Sequence, residues 1–299
     1  MGTTTALLSP VSSGEDLEAW VRLRNAVVPN EPVAVEAMRA DEEGRLLLLA
    51  ELDDTTVGCG IARRSHFAGR GFVAARVHPD FRRKGVGTAL MLALCDHVRG
   101  LGRDVLSYFV YADDPGSVAF ADQYGQQVDY RLEQIRVVGI EEPVAPPEGI
   151  AFVDLDGRRD ELLRAAWPLA LQAYEDMPLP GEVTLDFDEW LRDEATHPDG
   201  SFVALHHGEV VGFAGLCKRA NDPAMAEHGL TAVLRDFRRR GIAHALKRSQ
   251  LAWATRTGIR ALVTWTQKGN EPMQRLNRSL GYVDHARVLI YSGPLPPSR

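Results

Sequence analysis

An α+β layered fold, repeated as two tandem domains that each hold a mixed, mostly antiparallel sheet flanked by helices, follows from three features of the sequence. One stretch occurs twice: Asp80-Phe-Arg-Arg-Lys-Gly-Val-Gly-Thr-Ala-Leu90 returns as Asp236-Phe-Arg-Arg-Arg-Gly-Ile-Ala-His-Ala-Leu246, 156 residues further on. The pairs Gly85/Gly241, Asp114/Asn270 and Gly125/Gly281 keep the same 156-residue spacing, so the halves are duplicates. Between them Glu141–Gly149 packs three prolines and three glutamates into nine residues, the composition of a stiff linker. The expected division is a first domain over residues 1–140, the linker over 141–149 and a second domain over 150–299. A chain of 299 residues suits two domains of about 150 residues each.

Within the first domain, Leu17, Trp20, Val21 and Leu23 mark one apolar face of a helix over Glu15–Ala26. Pro29 and Pro32 end it, and a short helix restarts over Val33–Met38. Arg45–Leu52 reads as a buried strand, Asp53-Asp54 as a turn and Val57–Ala62 as the hairpin partner. The apolar run Val73–Val77 leads into the first copy of the repeat. Val86, Leu90, Leu94 and Val98 then recur at four-residue spacing on one helical face, and Gly100 and Gly102 stop that helix. A strand over Asp104–Tyr111, a helix from Asp114-Pro115 to Tyr124-Gly125, and a closing strand over Tyr130–Val138 complete the first half. In the second half, Arg158–Tyr174 is helical apart from Pro168, and Phe187–Glu194 is a second helix. Ser201–Leu205 and Val210–Leu216 pair about His207-Gly208, and Leu230–Leu234 feeds the second repeat. Ala261–Thr266, a helix to Leu280 and a last strand near Val288–Tyr291 follow.

A strand, a tight basic loop and a helix start together make an anion site. Unpaired N–H groups at the helix N-terminus point outward and the helix dipole favours negative charge. Glycine serves where the backbone approaches a phosphate or takes a positive φ. One copy alone reads as a basic turn ahead of an ordinary helix; two copies, each after a strand, point to phosphate binding.

The repeated loop resembles the acyl-CoA pyrophosphate loop of the GNAT superfamily of N-acyltransferases. The resemblance extends to Asn270-Glu-Pro-Met-Gln-Arg-Leu-Asn-Arg-Ser-Leu-Gly-Tyr282, similar to a family helix that runs along the CoA arm. It covers both halves, as in tandem members of the superfamily whose C-terminal half is active. It implies a sheet whose two central strands splay apart to admit acetyl-CoA or another short acyl-CoA. The implied cofactor contacts are Val77, Arg82, Arg83, Lys84, Gly85, Val86, Gly87 and Thr88 in the first half. In the second they are Val233, Arg238, Arg239, Arg240, Gly241, Ile242, Ala243 and His244, with Asn270 and Asn277. The first half departs from the pattern by placing Asp114 where the family has asparagine. Both helices read equally well as N-capped helices ending at Gly125 or Gly281.

Acetyl transfer to an amine needs a neutral nucleophile, a polarised carbonyl and a proton for the thiolate. In the family a backbone N–H on the strand before the loop polarises the carbonyl, here around Val233 or Val77. The family's frequent base is a glutamate at the start of that strand. Fourteen residues before Gly241 stands Glu227, and fourteen before Gly85 stands Gly71. Alternation puts Glu227 and Thr231 on one face and His228, the reserve base, on the other. Alternatively Glu227 belongs to a solvated loop over Asp222–Glu227. The family's acid is a tyrosine one turn before the helix-ending glycine. Ala121 and Asn277 hold those places, so the proton comes from another residue or from water. The second half is thus the expected catalytic one, and the first an acyl-CoA-binding or packing partner. Glu175 and Asp176, after Tyr174, form either an acidic lip for a cationic amine or a solvated loop.

Composition narrows the alternatives. A net charge of −7 speaks against a nucleic-acid regulator built on the two arginine-rich loops. The three cysteines form no Cys-x-x-Cys pair, which excludes a disulfide framework and a zinc cluster, and no metal is expected. No signal-like leader or membrane-length apolar run is present, so a cytoplasmic protein without membrane partners is expected. With no nucleophilic serine or cysteine constellation, direct attack by a primary amine of a small molecule is the expected reaction. Acyl-CoA binding without turnover is the alternative.

Overall fold

The computed structural model describes residues 6–39, 42–179, 181–182, 186–219 and 222–297. The chain forms two compact units: Met1–Asp129 with Pro180–Glu182 and Val288–Arg299, and Tyr130–Leu179 with Val183–Arg287.

The first unit opens with β1 (Leu7–Pro10), an edge strand against β2 (Leu46–Leu52) that periodicity did not reveal. Between them, α1 (Gly14–Val27) starts at a capping box of Ser13 and Asp16 and buries Leu17, Trp20 and Val21. The short α2 (Val35–Arg39) follows. β2 pairs antiparallel with β3 (Thr55–Arg64), and β3 with β4 (Arg70–Val77). After the first loop comes α3 (Val86–Gly100), whose Val86, Leu90, Leu94 and Val98 are buried. It returns the chain to β5 (Val105–Tyr111), parallel to β4, and α4 (Pro115–Ala121) follows.

The second unit repeats this order. β7 (Ala151–Asp154) is the edge strand, and α5 (Arg159–Asp176) runs without interruption through Pro168. α6 (Phe187–Asp193) leads to the antiparallel β8 (Phe202–His206), β9 (Glu209–Lys218) and β10 (Met225–Val233). Then come α7 (Ile242–Thr257), β11 (Ala261–Gln267) parallel to β10, and α8 (Glu271–Ser279). Helices cover both faces of this sheet. α5 and α6 enclose Phe213, Leu230 and Ala232 on one side, and α7 packs on Ala204, Val211 and Val233 on the other.

The closing strands are exchanged. Sequence order assigns Tyr130–Val138 to the first half and the strand near Val288 to the second. Instead β6 (Gln126–Val137) lies antiparallel to β11, from Ala261↔Val137 to Gln267↔Arg131. β12 (Val283–Pro294) lies antiparallel to β5, from Val288↔Tyr111 to Pro294↔Val105. Each unit thereby covers with a strand from the other half an edge that would otherwise stay open. Local hydrophobic pattern identifies a strand but not the sheet it joins.

Candidate active site

The two loops share one backbone. Arg83 (φ 64°) and Arg239 (φ 59°) take the left-handed conformation, as do Gly85 and Gly241, each at φ 81°. Gly85 and Gly241 occupy the N-cap positions of α3 and α7, and no side chain caps either helix. First-turn N–H groups of Val86, Gly87 and Thr88, and of Ile242, Ala243 and His244, are therefore available to an anion. The first arginine of each motif is spent on the loop itself. Arg238 Nε donates to Val233 O (2.9 Å) and Arg82 Nε to Val77 O (3.3 Å), tying the loop to the strand it leaves. Their other ends pair with carboxylates, Arg238 with Asp176 (2.5 Å) and Arg82 with Asp114 (2.9 Å). Arg235 also grips Asp176 at 2.5 Å. Hydrogen bonds from Arg235 and then Arg238 draw the Asp176 carboxyl down to about 2. The acidic lip suggested for a cationic acceptor is thus already engaged within the loop. Asp114 and Asn270 both cap their helices, accepting from Ser117 N (3.0 Å) and Met273 N (3.4 Å).

The central strands splay in both units. β10 pairs with β11 only from Met225↔Ala261 to Glu227↔Val263, and β4 with β5 only from Arg70↔Val105 to Phe72↔Ser107. Leu234 N donates to Val211 O of β9, and His78 N to Val57 O of β3. Successive N–H groups of a strand point opposite ways, so those of Val233 and Val77 face the two openings.

Here the units part. β10 carries a bulge between His228 and Thr231, whereas the β3–β4 register runs unbroken from Gly58↔Val77 to Arg64↔Gly71. The extra residue reverses the alternation, so Leu230 and Ala232 join the α5 cluster and Thr231 does not share a face with Glu227. It also moves the match between units. Glu227 corresponds by register to Phe72, because Glu227↔Val263 parallels Phe72↔Ser107. Gly71, matched to Glu227 by spacing, stands instead where Ala226 does, and a Cβ there would meet Val98 Cγ1 at 2.2 Å.

Glu227 lies in the strand and not in a loop. Arg219 reaches its carboxylate at 3.7 Å and that of Glu133 at 4.0 Å, while His285 Nε2 stands 3.9 Å from Glu133. Glu133 belongs to the exchanged β6, so pattern within the second half gave no reason to place it here. His228 is buried on the α7 side, its Nε2 2.5 Å from the Tyr282 hydroxyl. Burial, then the nearby Lys247, holds its pKa well below the usual imidazole value. It is therefore a neutral interior residue rather than a surface base.

Two more buried groups escaped sequence reading. Glu194, just past α6, inserts its carboxyl between Gly215 and Gly229, where a Cβ on either would lie 1.8 Å from Oε1. It accepts from Leu230 N (3.1 Å) in the bulge and Ala195 N (3.2 Å). Burial raises it to about 7 against those two bonds. Lys247 of α7 is 1% exposed, with its Nζ 5.3 Å from the Tyr282 ring, and burial lowers it to about 7. Glycines facing a helix end were the one available sign of Glu194; a lysine inside a helical pattern gives none.

Several buried polar atoms of this unit lack a hydrogen-bond partner among the described residues. Thr231 Oγ1, Thr266 Oγ1, Lys247 Nζ and Asn277 Oδ1 are all buried and unsatisfied. Asn277 Nδ2 donates to Gln134 Oε1 (2.9 Å). Beside α7, His244 and Arg248 line an open pocket of 340 Å³ with Arg136, Glu141 and Ser279–Gly281. Among the described residues no group of three or more metal-ligating side chains could hold a metal ion.

The Acetyltransferase (GNAT) family matches residues 15–125 and, a second time, 161–282. The chain belongs to this family. Its members are acyl-CoA-dependent N-acetyltransferases, and the chain carries two copies of the fold. The mycothiol acetyltransferase of Thermomonospora curvata is 28% identical over 260 residues, 85% of this chain and 81% of that protein. A GCN5-related N-acetyltransferase from Sphaerobacter thermophilus superposes with a TM-score of 0.77 at 20% identity, covering 98% of this chain and 97% of that one. A tandem GNAT protein from the clavulanic acid biosynthesis pathway gives 0.75 at 21% identity, covering 99% and 100%. No helix among the described residues is long and apolar enough to cross a membrane.

Proposed function

We propose that the C-terminal unit transfers an acetyl group from acetyl-CoA to a primary amine of a small molecule by direct attack. The observation that carries this reading is the bulged, splayed β10, with Glu227 at its closed end and the Val233 N–H facing the opening. Bound acetyl-CoA supplies the activated acetyl group. The N–H groups of Ile242, Ala243 and His244 would hold its pyrophosphate, with Arg239 and Arg240 adding positive charge and Asn277 standing along the arm. Glu227 would take the proton of the attacking amine, directly or through water, with Arg219 orienting its carboxylate. Val233 N–H would stabilise the oxygen on which negative charge develops. Glu194 acts one step removed, fixing the bulge through Leu230 N.

The relatives named mycothiol acetyltransferases make a mycothiol-related amine the first acceptor to try. The N-terminal unit keeps the loop and the outward N–H of Val77, but its β4 has neither bulge nor carboxylate, since Phe72 occupies the place of Glu227. We assign it acyl-CoA binding without turnover. Calorimetric titration with acetyl-CoA tests both assignments. Two sites per chain are expected, followed by CoA release when a primary amine is added. Absence of binding at millimolar acetyl-CoA would reject the cofactor for both units.

A further inference from the structure

The N-terminal unit holds a cationic pair, Arg24 buried and Arg76 partly buried, that the proposed reaction does not use. Arg76 stands on β4 opposite Cys59 of β3, on the face that Phe72 and Ala74 turn towards α1. Its Nη1 is shut off from solvent, and among the described residues no hydrogen bond or ion pair reaches its guanidinium. Arg24 of α1, 6% exposed, is close enough for burial and then Arg76 to lower it to about 10. Arg24 is itself occupied: its Nη1 donates to Asn25 Oδ1 (3.2 Å), Val28 O (3.4 Å) and Glu31 O.

The other polar groups that act on Arg76 are Cys59, Glu31 and Tyr111. Burial raises the Cys59 thiol to about 11 and keeps it neutral. The Glu31 carboxylate accepts from the Tyr111 hydroxyl at 2.9 Å. Two guanidinium groups, charged at any physiological pH, thus feel the Glu31 carboxylate only at longer range, and neither pairs with it directly. A buried cation lacking a partner destabilises a fold. At the register-matched place in the C-terminal unit stands Ala232, packed under α5. The charge is therefore particular to the first unit. It also directly precedes Val77, whose N–H faces the β4–β5 opening.

We infer that Arg76 anchors a carboxylate-binding site in the N-terminal unit, taking the free end of a dicarboxylic acyl chain carried on CoA, or the same group on a small free acid. A planar guanidinium accepts a carboxylate through two parallel hydrogen bonds. The CoA-borne form rests on the reading of the first loop as an acyl-CoA site; the free-acid form does not.

The test uses the full-length Gly241→Glu protein, in which the second loop is disabled, titrated with acetyl-CoA, butyryl-CoA, succinyl-CoA and succinate. Succinyl-CoA is expected to bind roughly 10-fold more tightly than butyryl-CoA, its neutral counterpart, with that preference lost in Arg76→Met. Acetyl-CoA affinity should be alike in both proteins. Succinate binding that disappears in Arg76→Met would support the same site with a free acid as its ligand. Equal affinity for succinyl-CoA and butyryl-CoA together with no succinate binding, or a preference that survives Arg76→Met, would overturn the inference. If no thioester binds but succinate does, the first loop fails as a cofactor site while Arg76 stands. Thermal melts guard against misfolding: removing an uncompensated charge should raise the Tm of Arg76→Met, and succinate should raise only that of the protein retaining Arg76.

Discussion

The two units share the backbone conformation of their basic loops and differ a few residues upstream, in the strand that feeds each loop. Both loops put arginine and glycine at positive φ, leave the helix start uncapped and tie their first arginine to a strand carbonyl. β4 is regular and carries Phe72 and Arg76; β10 is bulged and carries Glu227 and Ala232 at the matched places. One inserted residue turns a side chain to the opposite face of a sheet. Under the proposed function, a duplicated fold keeps its cofactor loop in both copies and lets the reacting end diverge.

The strongest prediction concerns that end. Glu227→Gln should lower kcat by about 10²- to 10⁴-fold with acetyl-CoA affinity unchanged, and should flatten the acidic limb of the pH–rate profile. An unaltered profile would remove Glu227 as the base and with it the main chemical difference between the units.

Next comes the buried lysine of α7. Lys247→Met should stabilise the protein by ~1–4 kcal/mol at neutral pH, because an unpaired buried charge gives way to an apolar chain of similar volume. The sign with pH follows from a pKa lowered from 10.5 to about 7. Between those values the unfolded chain binds more protons, so wild-type stability rises with pH and the advantage of methionine fades. A constant difference in urea midpoint across that range would show that Lys247 keeps its proton in the fold.

Glu194 gives the opposite slope. Its carboxyl is raised from 4.5 to about 7, so its contribution is complete below pH 4.5 and is lost as pH climbs through 7. Glu194→Gln should lose less stability over that window than the wild type, which urea midpoints at several pH values would reveal. It should also reduce kcat modestly, through a loosened bulge.

The smallest effects compare matched positions on the two strands. Gly71→Ala should cost ~1–3 kcal/mol, since its Cβ collides with Val98. Ala226→Gly, at the same place in β10, should cost about 0.5–1 kcal/mol through backbone entropy. Equal costs would mean that the strands are more alike than their registers indicate.

Much of this was legible in the sequence because it is local. The loop motif, the amphipathic α3 and the capped starts of α4 and α8 depend on neighbours in the chain, and each lies where spacing predicts it. Whatever depends on a partner far along the chain was not legible. Glu133 reaches Arg219 only because β6 crosses to the other unit, and Glu194 meets Leu230 only because two glycines leave room. The 156-residue spacing was itself misleading before the bulge: it matched Glu227 to Gly71, whereas strand register matches it to Phe72. A β-bulge adds a residue without a composition signal, and only hydrogen-bond register exposes it.

The claim that one loop serves chemistry and the other only binding is tested most directly by turnover in the two glycine variants. CoA release from acetyl-CoA should be followed with a panel of primary amines, a mycothiol-related amine among them, for well-folded Gly85→Glu and Gly241→Glu proteins. Release within about 3-fold of wild type in Gly85→Glu, and a loss of about 100-fold or more in Gly241→Glu, is the predicted result, ~3 kcal/mol of transition-state stabilisation placed in the second loop. Loss of turnover in Gly85→Glu with activity kept in Gly241→Glu would move the chemistry to the first unit and contradict the account.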